Sequence, residues 1–79
     1  MTMRVELHKS VQKFVLRRSK KEQAHILNAL FKLPEGDVKP LTGRPGDFRL
    51  RKGDIRAIFE YRGNVIFIKE IDNRGDAYK

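Results

Sequence analysis

Arg49, Arg51 and Arg56 are the residues of this chain whose type and spacing speak most directly for chemistry. A guanidinium holds phosphate in a planar fork, where a lysine acts only as a point charge. The run Leu50-Arg51-Lys52-Gly53-Asp54-Ile55 reads as a hairpin around a two-residue turn at Lys52-Gly53, and so short a loop fixes the register. Arg51 then opposes Asp54, Leu50 opposes Ile55, Arg49 opposes Arg56 and Phe48 opposes Ala57. Arg49, Arg51 and Arg56 share one sheet face; Phe48, Leu50, Ile55, Ala57 and Phe59 share the other. Like charges set directly opposite one another destabilise a sheet, so their collection argues for an anionic ligand. The competing reading is the solvated face of an antiparallel sheet. Against it stand the single sign of the excess and its composition of arginine.

The whole chain leans the same way. Its formal net charge is +8, from 18 basic against 10 acidic residues in 79, which implies a polyanionic partner: nucleic acid, a ribosome, an anionic surface or an acidic protein. Other chemistries find little support. There is no cysteine, hence no thiolate metal site, and a reducing compartment is expected. His8 and His25 stand on either side of a helix, so no transition-metal site and no cofactor are expected. His25, beside Ile26 on a helix flank, reads as a packing or solvent-facing residue. Gly43-Arg44-Pro45-Gly46 lacks the spacing and the strand-to-helix context of a phosphate loop and reads as a turn. No run reaches the length of a membrane span, and Met1-Thr2-Met3-Arg4-Val5-Glu6 has no apolar signal segment. A cytoplasmic protein, not bound to membranes, is the expectation.

The elements that must position the arginines follow from periodicity. Val5 and Leu7 alternate with polar neighbours and predict a first strand over Arg4–His8. Ser10 is placed to cap a helix whose apolar face is Val11, Phe14 and Val15, and which ends in Arg17-Arg18. Ser19 followed by Glu22 forms a capping box; Gln23, Ile26, Leu27, Leu30 and Leu33 then recur at helical spacing, with Phe31 widening the stripe. Pro34 and Gly36 stop this second helix, and Pro34 to Gly46 reads as a loop draped over the surface. Strands are predicted over Asp47–Arg51, Ile55–Tyr61 and Val65–Ile71, the last two joined at either Arg62-Gly63 or Gly63-Asn64. Both registers put Ile66 and Ile68 on the face of Phe59, which the helical hairpin must cover. The expected fold is a small α+β single domain over residues 1–79: N-terminal strand, helical hairpin, then a three-stranded antiparallel meander.

Once the segments are set in order, a family resemblance emerges. Gly46-Asp47-Phe48-Arg49-Leu50-Arg51-Lys52-Gly53-Asp54-Ile55-Arg56-Ala57-Ile58-Phe59 resembles the "W-R-L-R-x-G-D-Y-R-v-i-y" run of the RelE/ParE toxin superfamily. Val38-Lys39-Pro40-Leu41-Thr42-Gly43 is similar to that family's "v-k-x-L-k-G" lead-in, and Ile71-Asp72-Asn73-Arg74-Gly75-Asp76-Ala77-Tyr78 to its closing "I-g-h-R-x-d-v-Y". The order of elements matches as well, so the likeness spans essentially the whole chain. Asn73 stands where the family commonly has histidine and Gly75 where it has a further basic residue, and many RelE-like members carry a C-terminal helix beyond the position of Lys79.

The resemblance implies a toxin of a type II toxin–antitoxin pair, with a small acidic antitoxin as partner. Its RelE branch implies ribosome-dependent, metal-independent mRNA cleavage, with ribosome and mRNA as further partners; its ParE branch implies inhibition of DNA gyrase without nuclease activity. A non-catalytic member is the remaining alternative. Carried over by position, the catalytic set is Arg49, Arg51, Arg56, Arg74 and Tyr78. RNA cleavage by an adjacent 2′-hydroxyl needs a base, stabilisation of the phosphorane charge and protonation of the leaving oxygen. Guanidinium groups on a rigid sheet suit the second task, but with a pKa above about 12 they make poor bases. The base is then Tyr78, a lysine such as Lys52 or Lys69, or a carboxylate; Tyr78 is equally suited to stacking on a nucleobase.

Overall fold

The computed structural model describes residues Arg4–Asn73; Arg74 and Tyr78 of the expected catalytic set lie outside the described residues. The chain runs β1 (Arg4–Leu7), α1 (Lys9–Leu16), α2 (Lys20–Phe31), β2 (Asp37–Pro40), β3 (Asp47–Lys52), β4 (Ile55–Arg62) and β5 (Val65–Asn73). The strands form one sheet in the order β1-β5-β4-β3-β2, with β1 parallel to β5 and every other neighbour antiparallel. The expected meander β3-β4-β5 is therefore its centre, extended by one short strand at each side.

The outer strand β2 falls inside the stretch read as a loop. Its four residues include one proline and two charges, the composition by which proteins blunt sheet edges, so it carries no strand signature of its own. Val38 pairs with Leu50 and packs on the core, which is what recruits it.

The helices form for the expected reasons, with one change of cap. His8, not Ser10, is the N-cap of α1: its Nδ1 accepts from the Ser10 amide at 3.1 Å. An imidazole nitrogen here supplies the acceptor that serine usually does. In α2 the Glu22 amide donates to Ser19 Oγ at 3.2 Å, and that hydroxyl donates to Glu22 Oε1 at 3.1 Å. Gln23 ties the short connection by donating to the Arg18 carbonyl at 2.9 Å. Val11 and Val15 of α1, Ile26 and Leu30 of α2, and Leu33 just past the end of α2 are buried against Leu50, Ala57, Phe59, Ile66, Ile68 and Ile71 of the sheet. Full burial of one such side chain is worth about 1.5–3 kcal/mol, and this single layer is the core. Phe31 does not join the stripe; it is 59% exposed, because it lies on the outer flank of the helix.

The β3–β4 turn is Gly53-Asp54, with Lys52 paired to Ile55, rather than Lys52-Gly53. Gly53 has φ +59. Two-residue hairpin loops that follow the strand twist need a positive φ at their first position, which glycine takes freely and lysine does not. The β4–β5 turn obeys the same rule with Gly63 at φ +61 followed by Asn64, Arg62 pairing with Val65. The correction slides β3 by two residues. Side chains alternate with period two, so both faces keep their members while every cross-strand pair changes.

Candidate functional site

On the face turned away from the helices, the register writes charge in rows. Asp37, Arg51, Arg56 and Asp72 are successive partners across β2, β3, β4 and β5. The next row is Lys39, Arg49, Ile58 and Glu70. The three expected arginines are thus brought together, but Arg56 faces Arg51 rather than Arg49, and Arg51 has no Asp54 opposite it. Ile58 is 4% exposed on this charged face, an apolar floor between the guanidinium stems.

The cations are held without being saturated. Arg49 Nη1 lies 3.8 Å from Asp37 Oδ1, and Arg56 Nη2 lies 3.8 Å from Asp72 Oδ2, ion pairs too long to be hydrogen bonds. The Arg49 side chain is only 12% exposed and that of Arg56 29%. Buried Arg49 Nη1 and Arg51 Nε have no hydrogen-bond partner among the described residues. Donors left in that state cost free energy unless an acceptor arrives, and a phosphate supplies several. Asp37 and Asp72 are half-exposed at the two ends of the arginine row, within reach of anything bound there.

Beside the arginines lies a second network, which pattern reading missed. Lys69 is the extra residue of a β-bulge, since Ile58 pairs with Glu70 and Phe59 with Ile68. Its Nζ donates to both carboxylate oxygens of Asp47, at 2.8 and 2.9 Å, and lies 3.1 Å from Glu60 Oε1. Arg44 joins Asp47 at 3.1 Å to Glu70 at 2.8 Å, and Arg62 donates to Glu60 at 2.6 Å. The ammonium of Lys69 holds the Asp47 carboxyl below its ordinary range, and Arg62 followed by Lys69 does the same to Glu60. Asp47, then Glu60, raises the Lys69 ammonium, and Glu70 raises Arg44. The Gly43-Arg44-Pro45-Gly46 turn is thereby clamped to the sheet, with the Asp47 amide donating to the Arg44 carbonyl at 3.0 Å. The only sequence trace of the bulge is the break in alternation at Lys69-Glu70, between Ile68 and Ile71.

Two expected bases drop out. Lys69 is locked as a cation between two carboxylates. Lys52 follows Leu50 in the period of β3 and lines crevices with His25 on the helix side, so it is on the wrong face. Lys39, Asp37 and Asp72 are site neighbours that sequence reasoning did not single out; β2 was invisible, so two of them had no assigned face. His8 is used as a cap and meets the Phe67 ring edge-on at 6.2 Å. Among the described residues no group of three or more His, Cys, Asp and Glu side chains is placed to hold a metal ion, and no helix is long and apolar enough to cross a membrane.

Solved structures share this architecture. The archaeal RelE–RelB complex from Pyrococcus horikoshii OT3 contains a chain 31% identical, with 95% of this chain and 98% of that one covered at a TM-score of 0.71. A chain of the toxin–antitoxin complex RelBE2 from Mycobacterium tuberculosis is 18% identical, covering 94% and 100%, at a TM-score of 0.77. One from the RelB–RelE antitoxin–toxin complex of Methanococcus jannaschii is 18% identical, covering 92% and 94%, at 0.73. No family model and no curated protein matches the chain.

Proposed function

The chain belongs to the RelE/ParE toxin superfamily, on its RelE-like branch, and from that premise we propose that this toxin is a ribosome-dependent mRNA endonuclease that stops translation. The observation that carries the reading is the row Arg51–Arg56 with Arg49 beside it, in which buried Arg49 Nη1 and Arg51 Nε have no hydrogen-bond partner among the described residues. In this proposal mRNA lies across β3 and β4 with its scissile phosphate on that row. The adjacent 2′-hydroxyl gives up its proton as its oxygen attacks phosphorus, the bond to the 5′-oxygen breaks, that oxygen takes a proton from solvent, and the products are a 2′,3′-cyclic phosphate and a 5′-hydroxyl. Arg51 and Arg56 neutralise the phosphorane, a task for which each preorganised donor is worth about 10²–10³ in rate. Arg49, nearly buried over Ile58, fixes the neighbouring phosphate. The proton acceptor is one of the flanking carboxylates, Asp37 or Asp72, or Tyr78; Arg74 and Tyr78 complete the set on the strength of the resemblance.

The proposed partner in the resting cell is an antitoxin of RelB type, since the similar solved chains are held in such complexes, and a +8 chain favours an acidic one. The site of action is the cytoplasm, where ribosomes and mRNA are. In vitro translation followed by mapping of mRNA ends tests the reading, run beside a gyrase supercoiling assay. Codon-phased cleavage that vanishes in Arg56→Ala is expected; intact mRNA with inhibited supercoiling would replace the proposal by a gyrase-directed activity.

A further inference from the structure

The arginine row lies close to one end of the sheet. Beyond Arg51–Arg56 the β3–β4 ladder has one more pair, Lys52 with Ile55, and then the Gly53-Asp54 turn. Behind that end, α2 and β3 flank an open crevice of about 500 Å³, within the roughly 300–1,000 Å³ usual for small-molecule sites. Its floor is apolar: Ala29 and Leu50 line it, and Leu50 is 4% exposed. A narrow cleft with Ile26, Leu30 and Ile55 in its walls adjoins it, sharing His25, Ala29, Leu50 and Lys52. The rim carries exposed His25, Lys32 and Lys52, and the two lysines make no ion pair among the described residues. Two acids also line it: Asp37, engaged by Arg49 at 3.8 Å, and exposed Glu35. Arg51 and Asp37 belong both to this lining and to the arginine row.

We propose that this crevice is a second nucleotide subsite. A nucleotide adjoining the scissile phosphate turns round the end of β3, lays its base on Leu50 and Ala29 beside the His25 ring, and sets its own phosphate between Lys32 and Lys52. The inference rests on the reading of the chain as an mRNA endonuclease and carries the substrate past the arginine face. Each part of a nucleotide finds its counterpart. A base has an apolar face for the floor and stacks on an imidazole, and ammonium groups take a phosphate as point charges. The base-edge N–H groups face Glu35 and Asn28 at the rim, an acceptor and an amide that can do either. An acidic peptide fits worse, because its carboxylates would meet Glu35 and Asp37 along with the cations. Lys52, turned away from the scissile phosphate, here holds the neighbouring one.

The test uses the full chain and a 2′-O-methyl adenosine tetranucleotide, which keeps bases and phosphates but lacks the attacking hydroxyl. NMR should show nuclear Overhauser contacts from an adenine ring to the methyl groups of Ala29 and Leu50. Lys32→Glu/Lys52→Glu, changed at exposed positions, should weaken binding by about tenfold or more. His25→Ala, also exposed, should weaken it by about tenfold through lost stacking. Absence of binding, ring contacts confined to the face of Arg49, Arg51 and Arg56, indifference to the charge reversal, or equal perturbation of the same methyl groups by a tetraglutamate peptide would each overturn the proposal. The readout does not involve cleavage. A chain that seats the adenine in the crevice but leaves mRNA intact refutes the nuclease reading alone; one that cleaves mRNA but leaves the crevice empty refutes this inference alone.

Discussion

Arg51 and Arg56 face one another directly across the β3–β4 ladder, and the next residue outward on each side is an aspartate, Asp37 beyond Arg51 and Asp72 beyond Arg56. The carboxylates ease the repulsion without ending it: the Arg56–Asp72 contact is 3.8 Å long, and Asp37 makes its ion pair with Arg49 instead. An opposed like-charge pair costs a sheet up to about 1 kcal/mol. Under the proposed function this cost is the counterpart of a phosphate seated on the pair.

Separation of stability from activity follows. Arg51→Gln and Arg56→Gln, which keep most of the side-chain stem, should leave unfolding free energy within about 1 kcal/mol of the parent or raise it slightly. Single-turnover mRNA cleavage on ribosomes should fall by about 10²–10³ in each. Denaturant titration and end-mapping on the same preparations check both halves; a loss of stability that tracks the loss of cleavage would make these arginines structural.

Gly36 makes a prediction about the loop that leads into the site. Its φ is +121, and a Cβ built there would stand 2.9 Å from Leu50 Cδ1, a side chain buried in the core. Gly36→Ala should destabilise the chain by about 1–3 kcal/mol, through strain and overpacking together. At Gly63, with φ +61 and open space around the added carbon, the same change should cost only the left-handed penalty, about 1–2 kcal/mol. Urea midpoints of the two variants measure the difference.

Period-two alternation made the two sheet faces legible from sequence, because a face survives any register error of two residues. The partners within a face were not legible: they hinge on which two residues form the turn, and Lys52-Gly53-Asp54 offers both choices until the positive φ is assigned to Gly53. β2 hid behind its proline and charges, and with it the aspartate and lysine that flank the arginines. The Lys69 bulge hid because one inserted residue looks like noise in an alternating pattern, yet it sets Lys69 between Asp47 and Glu60.

Lys69→Met tests that division of labour. Removing the ammonium leaves Asp47 with Arg44 as its one ion-pair partner among the described residues, so the melting temperature should drop. Cleavage at a temperature where the variant is folded should stay within about tenfold of the parent with an unchanged pH profile. Loss of a general base would instead lower the rate by about 10²–10⁴ and remove its limb from the profile.

The same network fixes how stability responds to pH. Asp47 and Glu60 have folded pKa values below their ordinary ones, the first through Lys69 and the second through Arg62 and then Lys69. Their stabilisation is fully present above the unfolded carboxyl values of about 4 and is lost as pH falls through the lower folded values. Lys69 has the opposite sign: Asp47 and Glu60 raise it, so its contribution is complete below about 10.4 and disappears only as pH rises through the higher folded value. The melting temperature should therefore be level from roughly pH 5 to 9 and fall steeply below about pH 4, where the unfolded carboxyls take up protons that the folded carboxylates do not yet bind. Asp47→Asn should melt lower on the plateau and show a shallower acid limb, because one of the groups that drives it is gone. An acid limb of unchanged slope in that variant would place the titrating group elsewhere and remove the Lys69–Asp47 pair as the brace of the 41–47 segment.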